Sequence, residues 1–179
     1  MSVCVLTQSM RAPKDQIFAD PALERLVALL SSGKRTFSQM SASVLARCCH
    51  TAQQQELLLQ AGALHGLLQL LKSPYKSCQQ SALDALAALS MRNDEVCQQV
   101  MQHPGVDDEL VRFTKNRSPS IRLLACSCLT NLACSSDWDN MEGEMKHRYK
   151  HVLQVLVKLL NEPTIREQVP EVLSRLTEA

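Results

Sequence analysis

Aromatic side chains are scarce in this 179-residue chain, which has one Trp, two Tyr and three Phe, and Gly is rarer still at five. That is the economy of helices packed on helices, and no window alternates apolar and polar residues as a half-buried strand does. The chain therefore reads as all-α. Charge imbalance is also missing: the formal net charge is +1, which removes the general case for nucleic acid or a membrane surface as partner. Apolar runs such as Leu26 to Leu30 fall far short of a membrane span. The opening residues MSVCVLTQSMRAPKD lack a basic stretch followed by a long apolar one, so no secretory signal is expected and the chain reads as soluble and intracellular. No Gly-rich phosphate loop, nucleophile elbow or HExxH motif occurs, which leaves no enzyme and no small-molecule ligand to argue for.

Eight cysteines are present. Without a secretory signal they do not suggest disulfides, and Cys48, Cys49, Cys78, Cys126 and Cys128 fall in helical periodic segments, where free Cys behaves as a small hydrophobe. Cys128, Cys134, His147 and His151 approach a zinc-finger order. The five residues between the two Cys exceed the usual two to four, and Cys128 lies on a core stripe. Neither a metal nor any other cofactor is expected. Cys48-Cys49-His50 suggests a nucleophile and base, but neighbours on a helix point about 100° apart and rarely face each other.

What the chain does have is a repeat. LQAGALHGLLQLLKSPYKSCQQSALDALAALS (Leu59 to Ser90) returns as QHPGVDDELVRFTKNRSPSIRLLACSCLTNLA (Gln102 to Ala133). A weaker copy runs from Lys150 to Ala179, and another stands in front from Asp20 to Cys49. Stepping back 43 residues, Ala125, Leu129 and Leu132 meet Ala82, Leu86 and Leu89; a further 41 reaches Leu45 and Cys48. Forward by 44, Ala125, Cys128, Leu129 and Leu132 meet Val169, Val172, Leu173 and Leu176. These spacings of three, four and seven are the apolar stripe of an amphipathic helix, and a period in this range marks a helical solenoid.

Punctuation follows the same register. Pro74, Pro119 and Pro163 stand where a long helix should open, a position at which a missing amide costs nothing, and Pro21 follows Asp20, a good N-cap. Gly62 and Pro104-Gly105 separate a short helix from a leucine-rich one. Long helices are predicted near Lys34 to His50, Pro74 to Ser90, Pro119 to Ala133 and Pro163 to Thr177, with three helices per unit. Pro170 should kink the last one or end its first turn, and Ser135 to Glu144, which holds Trp138, should be a loop or an irregular helix. The organisation is a segment 1–19, then repeats of about 20–51, 52–92, 93–135 and 136–179. The last long helix has no polar capping repeat after it, as a fragment or one part of a longer superhelix would not. Asp107 to Glu109 and the cluster Lys146, His147, Arg148 and Lys150 read as solvated faces.

These residues resemble armadillo repeats. QAGALHGLLQLLKS is similar to the family's turn and second helix, and LLACSCLTNLA to its third, over about Asp20 to Ala179 as 3.5 to 4 repeats. HEAT repeats share the Arg at Arg122 and Arg166. Within the family, ARCCHTAQQQELLLQAGALHGLLQLL, SPYKSCQQSALDALAAL and ELVRFTKNRSPSIRLLACSCLTNL resemble the armadillo-repeat subunit of the CTLH (GID) E3 ubiquitin ligase. The resemblance implies a right-handed helical solenoid and a non-enzymatic adaptor. Its partners would be the ligase core and substrate-receptor subunits, and it would work in proteasomal degradation in cytoplasm and nucleus. The alternative is an armadillo or HEAT peptide-binding module of the transport-receptor or catenin type.

Armadillo proteins line a groove with an Asn on each long helix, because a side-chain amide both donates to and accepts from a peptide backbone. Asn131 matches that position, and its register mates are Arg47, Ala88 and Arg175. The groove Trp four residues earlier is replaced by Ser43, Asp84, Ser127 and Glu171, so a continuous ladder is not expected. Arg47 and Arg175 suit an acidic or C-terminal carboxylate partner through paired hydrogen bonds. Arg47, Asn131 and Arg175 are the candidate partner-binding residues, and as exposed polar side chains their joint loss should cost little stability.

Overall fold

The computed structural model describes residues 17–18, 21–135 and 143–177. Among these every regular element is a helix: α1 Ala22–Leu30, α2 Arg35–Cys48, α3 Ala52–Gln60, α4 Ala63–Leu71, α5 Lys76–Ser90, α6 Asp94–Gln102, α7 Val106–Phe113, α8 Pro119–Cys134, α9 Gly143–Leu159 and α10 Val169–Thr177. None of them is long and apolar enough to cross a membrane. The chain divides into two compact units, Met1–Leu89 and Ser90–Ala179.

In the first unit, α1 buries Leu23, Leu26 and Leu30 and packs on α2 and α4. The approach to α4 is close: a Cβ on Gly66 would sit 2.8 Å from the Leu30 Cβ, so only Gly fits there. The Ser41 hydroxyl donates to the Leu26 carbonyl, and Ser38 Oγ to that of Leu29 at 3.1 Å, tying α2 to α1. Thr51 and Gln54 form a reciprocal cap on α3, with Gln54 N–H donating to Thr51 Oγ1 and Thr51 N–H to Gln54 Oε1. Gly62 then takes φ of 78°, a left-handed turn that L side chains avoid, and α4 opens. The predicted stripe is core: Ala82, Leu86 and Leu89 on α5 are at most 1% exposed. Pro74 stands two residues ahead of α5, not in its first position, because the Tyr75 carbonyl accepts the opening bonds from Cys78 and Gln79. Pro21 is likewise one residue ahead of α1, and Asp20 lies outside the described residues.

In the second unit, Asn93 Oδ1 accepts from Val96 N–H to cap α6, and Gly105 repeats the left-handed turn at φ of 78°. Pro119 opens α8 as predicted. Leu129 and Leu132 are 4% and 3% exposed, and Ala125 is fully buried. The pattern then changes. One period after Gly105 the residue is Tyr149, which has no access to a left-handed turn, and α9 runs unbroken for 17 residues. A single helix thus occupies the register held earlier by two, contrary to three helices per unit. The last long helix also starts late, at Val169 instead of Pro163. Pro170 has no amide to donate and its ring clashes with a carbonyl four residues back, so a helix cannot run through it. Successive turns fill 163–168 instead, with Arg166 and Gln168 amides bonded to the Glu162 and Ile165 carbonyls. Most of the predicted polar loop, Trp138 included, lies outside the described residues.

Candidate functional site

The register positions of the long helices fall differently in the two units. In the second, Asn131 on α8 is only 5% exposed, because both ends of its amide are used within the chain. Its Nδ2 donates to Ser90 Oγ at 3.1 Å, and its Oδ1 accepts from Arg175 Nη1 at 3.1 Å. The same Nη1 reaches Ser127 Oγ at 3.1 Å, while Nη2 donates to Glu171 Oε1 at 3.0 Å. The four positions that a groove would offer as Trp and Asn sites on α8 and α10 (Ser127, Asn131, Glu171 and Arg175) therefore bond to one another. Neighbouring backbone is drawn in too. The Asn131 carbonyl accepts from Ser135 Oγ at 3.1 Å and from the Cys97 thiol at 3.6 Å, and the Arg175 carbonyl accepts from Cys134 Sγ at 3.3 Å.

Asn131 thus departs from the exposed position the sequence suggests. Its removal breaks two hydrogen bonds of a buried amide, to Ser90 and from Arg175, so the triple substitution of Arg47, Asn131 and Arg175 is not the mild change that exposed residues allow. The Arg175 side chain is 16% exposed, and Glu171 at 73% presents the outward charge of this cluster.

In the first unit Arg47 is exposed near the end of α2. Its companion is Asp84 on α5. Loss of solvent around that carboxyl raises its pKa above the ordinary value, and the nearby Arg47 guanidinium pulls it back down. Both side chains are exposed, while Ala88, the register mate of Arg47, offers its carbonyl to Gln55 Nε2 at 3.0 Å. The structure therefore joins Asn131 with Arg175, and leaves Arg47 exposed near Asp84.

Lys146, His147 and Lys150 of the basic cluster are exposed as expected, but Arg148 is tied to the acidic one. Arg148 on α9 donates to the Asp107 carboxylate, and to Asp108 Oδ1 at 3.1 Å, both on the first turn of α7. Beside this clasp lies a partly open pocket of about 280 Å³, floored by Met101, Leu129, Leu132 and Tyr149. It falls just below the usual size of a ligand cavity and suits one apolar side chain better than a cofactor. The sequence does hold a signal for these ties, which composition hides. Ser90 and Asn131, Asp107 and Arg148, and Cys134 and Arg175 are each 41 residues apart, one repeat period.

Among the described residues, no three His, Cys, Asp or Glu gather as metal ligands. Cys128 is buried, the Cys134 thiol meets the Arg175 carbonyl, and His151 Nε2 lies 3.0 Å from Thr114 Oγ1. Cys48 and Cys49 are buried, and burial beside Cys48 pushes the Cys49 thiol up to about 12, far from a nucleophile's range.

Helix order, left-handed glycine turns and one-period polar ties together define an armadillo-type repeat fold. Residues 51–91 match the Armadillo/beta-catenin-like repeat. Over 125 residues the chain is 29% identical to armadillo repeat-containing protein 8 of Danio rerio, a match covering 66% of this chain and 18% of that protein. The chain thus spans under a fifth of that relative's length. A designed armadillo repeat protein in complex with the peptide (KR)4 superposes with a TM-score of 0.68 at 18% identity, covering 97% of this chain and 90% of that one. Computationally designed armadillo repeat proteins for modular peptide recognition superpose at 0.73 and 22% identity, covering 98% and 71%. At such identities the likeness establishes the fold alone.

Proposed function

We propose that this chain is a non-enzymatic binding scaffold, an adaptor of a CTLH/GID-type E3 ubiquitin ligase that links the ligase core to a substrate receptor in proteasome-dependent degradation. The observation that carries this reading is the similarity of the segments from Ala46 to Leu132 to that ligase's armadillo subunit, supported by the 29% identity to an armadillo repeat-containing relative. A scaffold works by holding two surfaces at fixed separation, and this chain's chemistry agrees: polar register positions spent on internal ties, buried thiols, and charge at the edges. Cytoplasm and nucleus are the compartments such an adaptor would occupy. The alternative, a reader of extended peptides, draws on the designed armadillo protein bound to (KR)4. It needs amides free for a peptide backbone, and the Asn131 amide is committed on both sides.

Affinity purification of the tagged full chain from cells, followed by mass spectrometry, tests the proposal. Co-purification of ligase core and receptor subunits, reduced by Arg47→Glu without loss of helicity, is the expected outcome. Recovery of neither set of subunits refutes the adaptor role and leaves the fold untouched.

A further inference from the structure

The outer face of α9 carries a line of exposed large hydrophobic side chains. Val152, Leu156 and Leu159 point inward and are at most 1% exposed, yet Leu153, Val157 and Leu160 stand 42%, 57% and 39% exposed. Their spacing of four and three places them in one line, and Leu160 N–H still bonds the Leu156 carbonyl, so the line runs unbroken to its end. Lys146 and Lys150 continue it toward the helix start, and Lys158 flanks it; all three are exposed. From Met145 to Asn161 the sequence contains no Asp or Glu. A two-turn apolar line with lysines ahead of it and beside it, and no carboxylate within that stretch, is therefore presented to solvent, on a helix whose opposite side is packed into the fold.

We propose that this face docks an acidic amphipathic helix of a partner protein, through apolar anchors on Leu153, Val157 and Leu160 and carboxylates on Lys146, Lys150 and Lys158. Charge complementarity selects the acidic partner, since a helix bearing lysines would meet like charges at Lys146, Lys150 and Lys158. Elsewhere on α9 a cation already holds carboxylates of an acidic helix turn: Arg148, on another side of the helix, bonds Asp107 and Asp108 of α7. The anchor spacing is that of helix-on-helix recognition. A membrane surface is the poorer match, because interfacial helices insert bulky aromatics from a long apolar face, whereas this face has none and extends roughly 10 Å. The inference concerns a different surface from Arg47 and stands apart from the ligase reading.

Fluorescence anisotropy with the full chain tests it. The probe is a labelled synthetic helix carrying leucines at third and fourth spacings with glutamates beside them, and its twin carries lysines in place of the glutamates. The acidic helix should bind saturably and more weakly as salt rises, and the lysine twin should not bind. Val157→Glu, or Leu153→Ser should the first variant misfold, should weaken binding roughly tenfold or more with circular dichroism unchanged. Combined K146E, K150E and K158E should reverse the preference to the lysine twin. Equal binding of both helices, or binding indifferent to Val157→Glu and Leu153→Ser, overturns the proposal. So does preference for phosphatidylserine vesicles over the acidic helix. A dimer seen by sedimentation and abolished by Val157→Glu assigns the face to a second copy, and equally overturns it.

Discussion

The two units share one half of their register and differ in the other. Leu86 and Leu89 on α5 and Leu129 and Leu132 on α8 occupy the same apolar positions and are all buried. The polar positions diverge: Arg47 is exposed in the first unit, whereas Asn131 and Arg175 in the second are tied to each other, to Ser90 and to Ser127. A repeat thus reuses its hydrophobic pattern because every copy has the same core to fill. Its polar pattern is free to become either a surface for others or an internal lock.

The largest effects test the shared half. Leu86→Ala and Leu129→Ala should each cost about 2 to 5 kcal/mol in urea denaturation, the usual range for a buried leucine. A marked inequality between them would break the equivalence. Next comes the half that differs. Asn131→Ala should cost about 1 to 3 kcal/mol, since it removes two hydrogen bonds of a buried amide, to Ser90 and from Arg175, and a double-mutant cycle with Arg175→Met should show coupling. Additivity in that cycle would mean the lock is not one. Gly62→Ala and Gly105→Ala should each cost about 1 to 2 kcal/mol through left-handed strain alone, because the space beside both glycines is open. Arg47→Ala should change stability by no more than about 0.5 kcal/mol.

The smallest effect is one of pH. His151, beside Thr114, has its pKa held below 6.5, first by burial and then by Lys115, His147 and Lys158. The folded chain thus favours the neutral ring, so this contribution is present above the unfolded pKa and fades as pH falls below about 6.5. Melting temperature should drop more between about pH 7.5 and pH 5 in the native chain than in His151→Gln. Equal drops would remove His151 from the balance.

How much of this was legible can be judged position by position. The apolar stripe was, because burial leaves a periodic trace that neighbours cannot rewrite, and Gly62, Gly105 and Pro119 marked their turns through local backbone chemistry. Asn131 was not. A lone amide in register looks exposed, and its burial depends on a serine one period upstream and an arginine one period downstream. The late start of α10 turned on Pro170 outweighing Pro163, a contest between two prolines that each favour a helix start. The unbroken α9 was written in one residue, since Tyr149 stands where Gly62 and Gly105 make their turns.

The buried thiols carry a consequence of another kind. Cys48 lies on α2, Cys78 on α5, Cys97 on α6, and Cys126 and Cys128 on α8, all buried. Burial lifts Cys97 to about 11 and Cys126 to about 12, and only a thiolate attacks an alkylating reagent. Each of these groups reacts when its own helix leaves its place, so it acts as a stopwatch built into that helix. Timed alkylation followed by peptide mass mapping would then read how often each helix opens, without a single residue being introduced.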